Sequence, residues 1–164
     1  MGVNSDLSQV AADSPPEAEA DLLELKTPML QQLHRDWELR RRGRAMPSRA
    51  DFDVLDLKYC IGNLSLIEVA GDPPRFRFLI HATNVAQGMG FDLTGKSLDL
   101  LPDAHYRRLV EEHFAEALAT RRPVARYRNR QMTDQHIWNC EVLVLPLSTD
   151  GKTIDMLFSG FVWF

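Results

Sequence analysis

Cysteine is scarce in this chain: Cys60 and Cys140 are the only two in 164 residues. They lie far apart, without the paired spacing that a disulfide framework or a zinc site requires. A reducing cytoplasm is the simplest setting for such a sequence. Long apolar runs are missing as well, and no stretch approaches the ~18 residues of a membrane span. The opening, MGVNSDLSQVAADSPPEAEA, lacks the basic start and apolar run of a secretory signal. Gly2 is followed four positions later by Asp6, where an acylation signal needs Ser or Thr. The net charge of -4 offers no bulk attraction to nucleic acid or to an anionic membrane surface. No phosphate-binding glycine loop occurs, no Ser, His and Asp signature, and no zinc spacing among the five histidines. Glu111 and Glu112 are adjacent and point apart on a helix, as a solvated face does and an acid/base pair does not. These absences predict a non-catalytic protein with no metal site.

What remains is an ordinary globular composition, 45% apolar and 26% charged. Residues 1–20 are rich in Ser, Asp, Pro, Glu and Ala and cannot bury enough surface to offset chain entropy, so they read as a disordered leader. Residues 21–52 read as a helix and a basic linker. Thr27-Pro28 marks the helix start and Gly43 its stop, while Met29, Leu30, Leu33 and Trp37 trace an apolar stripe at three- and four-residue spacing. The linker is RRRGRAMPSRADFD, Arg40 to Asp53.

Residues 53–164 form the main domain. Two strand-like runs, Leu64 to Val69 and Arg75 to Thr83, flank the turn cluster Gly71-Asp72-Pro73-Pro74. In the second, Phe76, Phe78, Ile80 and Ala82 alternate with a more polar set, so that face should meet the core. Gly88, Gly90 and Gly95 suit tight turns and short helical pieces. A long helix near 103–121 carries Tyr106, Leu109, Val110, Phe114, Ala117 and Leu118 on one stripe. Three strands complete the chain, Val124 to Met132, Ile137 to Leu147 and Ile154 to Phe164. Their links are short, Thr133-Asp134-Gln135 and Ser148 to Lys152, and predict antiparallel hairpins.

This order, with Asn84-Val85-Ala86 after the second strand and Asp92-Leu93-Thr94-Gly95-Lys96-Ser97-Leu98-Asp99-Leu100 before the long helix, resembles that of PAS domains. Trp37 with the basic linker, PPRFRF and DLTGK looks more narrowly like a family of small bacterial stand-alone PAS-like proteins in which a helix precedes the fold. The resemblance covers roughly residues 28 to 164. It departs from the family in a short Asn84 to Gly95 segment and in His81, where a small residue is expected. It implies an α+β PAS fold: a five-stranded antiparallel sheet in the order 2-1-5-4-3, helices on one face around a small cavity, and the N-terminal amphipathic helix. It further implies a role in sensing or protein association, which the site itself must support.

The candidate pocket takes Phe78 and Ile80 from the second strand, with Leu98, His113, Phe114, Trp138 and Val142 opposing them. The same side chains would equally close-pack as core. His113 invites comparison with PAS domains that hold haem through a histidine in this region. A boundary histidine bonded to backbone or solvent is the reading its neighbours favour. The Asn-Cys-Arg-Phe run of flavin light sensors is absent, Asn84-Val85-Ala86-Gln87 standing in its place. Cys140 reads as a small buried residue rather than a nucleophile. Arg126, Arg128 and Arg130 share a strand face, either solvated or facing an acidic partner or anionic ligand. Leu157, Phe161 and Trp163 are the expected greasy outer face of the sheet, to be covered by the N-terminal helix in a homodimer. The chain is thus expected to be a cytoplasmic signalling module that binds a small ligand or a signalling protein partner. The alternative is a structural dimerisation or adaptor module with a filled core.

Overall fold

A computed structural model describes residues 24–131 and 137–164. The expected disordered leader, residues 1–20, and the Thr133-Asp134-Gln135 link lie outside the described residues. Five strands form one antiparallel sheet: β1 (Leu64–Ala70), β2 (Arg75–Ile80), β3 (Val124–Gln131), β4 (Ile137–Leu147) and β5 (Met156–Trp163), in the spatial order β2-β1-β5-β4-β3. Three α-helices accompany it among the described residues: α1 (Pro28–Arg41), α2 (Thr83–Met89) and α3 (Ala104–Thr120). Among the described residues this is the α+β arrangement expected, with α2 and α3 on one face of the sheet and α1 on the other.

The register fixes what each face carries. Val142 opposite Phe161, Val144 opposite Ser159 and Arg126 opposite Val142 place these residues on the inner face, beneath α3. Glu141, Leu143 and Leu145 sit opposite Val162, Gly160 and Phe158 on the outer face. The expected outer set of Leu157, Phe161 and Trp163 is therefore out of phase by one residue. A period-two pattern identifies two faces but not which is which when both are apolar.

The outer face is closed by the chain itself. Leu30, Leu33 and Trp37 of α1 are fully buried, and Leu30 and Leu33 reach over Gly160, where a Cβ would lie 2.7 Å and 2.9 Å from their Cδ2 atoms. The Trp37 indole N–H donates to the Pro146 carbonyl at 2.8 Å. Ahead of the helix, the Glu141 carboxylate accepts the backbone N–H groups of Lys26 (2.8 Å) and Thr27 (3.0 Å). Thr27 holds the N-cap position, but its hydroxyl makes no capping bond; the carboxylate takes over that role at the positive end of the helix dipole. The expected cover of the outer face by the N-terminal helix is thus made here within one chain.

The basic linker is an internal fastening. Arg40 donates to the Asp51 carbonyl (2.7 Å) and pairs with Asp56 (3.1 Å), while Arg44 pairs with Asp51 (2.7 Å). Met46, Phe52 and Leu57 join the same core as the sheet, Phe52 meeting Phe158 edge to face at 5.1 Å. The helix and linker thus share one core with the strands from residue 64 onward.

Gly160→Ala should lower unfolding free energy by about 1–3 kcal/mol through overpacking against Leu30 and Leu33, read from denaturant midpoints. A midpoint equal to wild type would show that α1 does not rest there. Glu141→Gln should cost about 1–3 kcal/mol, because one carboxylate oxygen becomes an NH2 facing a backbone N–H. Hydrogen exchange at Lys26 and Thr27 should rise in that variant.

Candidate functional site

The inner face and α3 enclose a small cavity. Ser65 comes from β1, Phe78 from β2, Val142 from β4, Ser159 and Phe161 from β5, and Phe114 from α3. Phe76 and Phe114 meet edge to face at 5.1 Å. About 40 Å³ stays empty between Phe78, Leu98, His113, Phe114 and Val142, five of the seven residues named from sequence. One does not join them. Ile80 is 51% exposed, because the register shifts between Leu66 and Ile67 and makes Leu79 an extra residue, which turns Ile80 out of phase with Phe76 and Phe78. Trp138 lies on β4 opposite Arg130, and its side chain falls outside the described residues, as does that of Arg130.

The cavity is more polar than expected. Ser65, His81, Ser159 and Arg128 also line it. Small hydroxyls inside apolar strands gave no signal in sequence, although Ser159 is two residues from Phe161 and so shares its face. The Ser65 hydroxyl accepts the Ala82 N–H at 2.9 Å, and His81 Nδ1 accepts the Leu93 N–H at 2.9 Å. His81, where the family resemblance leads one to expect a small residue, thus fastens the Asp92–Lys96 turn to the end of β2. Burial lowers the pKa of His81, against the opposing pull of Asp92 at 3.7 Å. Asn84, of the Asn-x-Ala signature, donates to Asn63 (2.8 Å), and Asn63 donates to the Phe161 carbonyl (2.8 Å), tying α2 to the sheet.

His113 and Arg128 form the polar centre. His113 is 3% exposed; its Nε2 lies 2.8 Å from the Val124 carbonyl and its Nδ1 2.9 Å from an Arg128 nitrogen. A guanidinium only donates, so Nδ1 must accept and the ring proton sits on Nε2, where the carbonyl receives it. Burial, then the Arg128 charge, push the His113 pKa down to about 3, so the ring is neutral at physiological pH. Both nitrogens are occupied, and neither is free to ligate iron. The histidine is bonded to backbone, the reading its sequence neighbours favour over a haem ligand, and the cavity lies well below the ~300 Å³ at which small-molecule pockets usually begin. Cys140 is 3% exposed and faces a neighbouring pocket instead of this cavity; Cys60 donates to the Leu57 carbonyl, and burial raises its pKa to about 11. A protonated thiol of this kind is no nucleophile.

The expected arginine stripe on β3 turns inward. Arg126 pairs with Glu116 of α3, and Arg128 lies 5.9 Å from the centre of the Tyr106 ring. Tyr106, Arg128 and Phe161 separate the cavity from a side pocket of about 230 Å³ that opens at the first turn of α3, beside Asp103 and His105. Among the described residues, no group of three or more His, Cys, Asp or Glu is placed to hold a metal ion. No helix there is long and apolar enough to cross a membrane.

Residues 25–161 match the PAS domain family. No curated protein matches the chain. Among solved structures, the PAS domain of Bordetella pertussis BvgS is similar with a TM-score of 0.50 at 13% identity, over 68% of this chain and 85% of that one. The Rhodobacter sphaeroides LOV protein is similar with a TM-score of 0.46 at 10% identity; the match spans 62% of this chain and 58% of that protein. A sensory box sensor histidine kinase from Vibrio cholerae gives 0.45 at 14% identity, over 68% of this chain and 89% of that one. At such identities the likeness is one of fold.

His113 titrates near 6.5 when unfolded and near 3 when folded, so the unfolded chain binds the extra proton between those values and stability falls as pH drops through that window. Asp51, Asp92 and Asp150 have lowered pKa values and contribute below their ordinary 3.8. His113→Gln, which can still donate to Val124 and accept from Arg128, should make the decline between pH 6.5 and about pH 4 shallower. Urea melts across that range with an unchanged slope would place the titration elsewhere.

Proposed function

Because the chain belongs to the PAS domain family, we propose that it is a non-catalytic sensory signalling domain whose inner face, between α3 and the sheet, takes a small molecule. The observation that carries this reading is the polar lining of an otherwise apolar interior: Ser65, His81, His113, Arg128 and Ser159 converge on one small cavity. Buried polar groups cost free energy unless partnered, and their convergence beside an open side pocket suits a ligand better than a purely structural core. Occupancy acts on a signalling partner through different affinity for two conformations of the domain. The element best placed to respond is α3, because His113 and Arg128 link it to β3 at the cavity wall.

A second reading, a dimerisation or adaptor module with a filled core, is favoured by one observation: about 40 Å³ admits a few waters and little else. The two readings separate on purified protein. The sensory reading expects native mass spectrometry to detect a bound small molecule, or a metabolite panel to give a saturable rise in melting temperature that Val142→Ile, adding one methylene to the cavity wall, weakens. No bound molecule and no shift across the panel would establish the adaptor.

A further inference from the structure

Two arginines stand two positions apart on β3 and reach beneath α3, but their charges are met differently. Arg126 pairs with Glu116. Arg128, half-buried, has no carboxylate within ion-pair distance among the described residues. One of its terminal nitrogens, Nη2, takes both of its hydrogen bonds, 2.9 Å from His113 Nδ1 and 3.4 Å from the Leu109 carbonyl. Its Nη1 and Nε find no protein acceptor among the described residues. His113 is neutral and supplies no counter-charge, and its depressed pKa registers the Arg128 field. The Nη1 and Nε donors of Arg128 are not among the buried atoms that lack a partner, so they stay open to an incoming acceptor. The guanidinium faces the side pocket of about 230 Å³, whose other walls combine Tyr106, Leu109, Phe161 and Trp163 with the polar Asp103 and Asn129.

We infer that this side pocket binds a small organic monocarboxylate with a short apolar or aromatic body, the carboxylate received by Arg128 and the body by the aromatic walls. The guanidinium presents its remaining donors as a planar fork that matches two carboxylate oxygens. Tyr106 and Phe161 wall both spaces, so the body reaches the partition of the inner cavity. This inference rests on the proposal that the inner face takes a ligand, and it names the chemical class.

The test titrates benzoate and hexanoate against benzamide and hexanamide, by calorimetry on the full chain. The acids should bind at least about tenfold more tightly than their amides, the scale of a charge-assisted pair, with the preference shrinking at high chloride. Arg128→Gln should bring the acids down to the level of the amides, and Arg128→Lys, which keeps charge but loses the fork, should fall between. Because either substitution also removes the His113 bond and can unfold the chain, the acid-to-amide ratio in the wild-type protein decides alone. Equal binding of acids and amides overturns the carboxylate assignment and leaves the ligand reading standing. So does silence from all four probes while another metabolite binds. Silence from the probes and from the whole metabolite panel overturns both.

Discussion

A sheet that is apolar on both faces cannot stand in water, and the structure follows from how a single chain covers both sides. Leu143, Leu145 and Phe158 face outward as firmly as Val142, Val144 and Phe161 face inward. At ~25 cal/mol per Å² of apolar surface, leaving either set exposed would cost more than a domain of this size can spare. The outer cover is α1, and it lies close because β5 carries a glycine, Gly160, where Leu30 and Leu33 descend. Glu141 then secures the start of the helix by taking two backbone N–H groups that the helix cannot satisfy itself. The arginines of the linker tie the other end down through Asp51 and Asp56.

With the outer face closed, the inner face is free to be less perfectly packed. Its polar residues come from three strands, a helix and the turn after β2, and each is individually partnered or turned to the cavity. The His113–Arg128–Val124 arrangement shows how a core tolerates a histidine: the ring is kept neutral by burial and a neighbouring cation, and both nitrogens are hydrogen-bonded. Small changes at this wall bear directly on the packing between α3 and β3.

Much of this was legible in the residues. Alternation and turn chemistry placed the strands, Ile137–Leu147 to the residue; Thr27-Pro28 announced the first long helix, and the apolar stripe near 103–121 the second. Periodicity put Phe78 and Phe114 on apolar stripes, and Leu98 came with the family resemblance; in the structure all three line the inner cavity. The errors share one physical origin: periodicity gives phase within an element but not the sign of the face, nor any break in it. The bulge opposite Leu79 sent Ile80 to solvent, and two equally apolar faces let the β5 set be assigned to the wrong side. Arg126 and Arg128 looked like a surface stripe because nothing local reveals that α3 passes over them. Ser65, Ser159 and the Glu141 clamp join residues remote in sequence, which short-range pattern reading cannot reach.

The strand order leaves two sheet margins, and they are finished differently. Along β2 the chain folds back on itself, with Phe78 exchanging backbone hydrogen bonds with Gly95 and Lys96 (2.7 and 2.9 Å). The glycine-lysine turn by which the family is recognised therefore also serves as a hem on that side. The opposite margin, β3, carries arginines at alternate positions, and like charges brought together by a neighbouring strand would repel. One border is sewn shut and the other is charged. That division works against strand addition at both margins, and it is the arginine border that adjoins the side pocket.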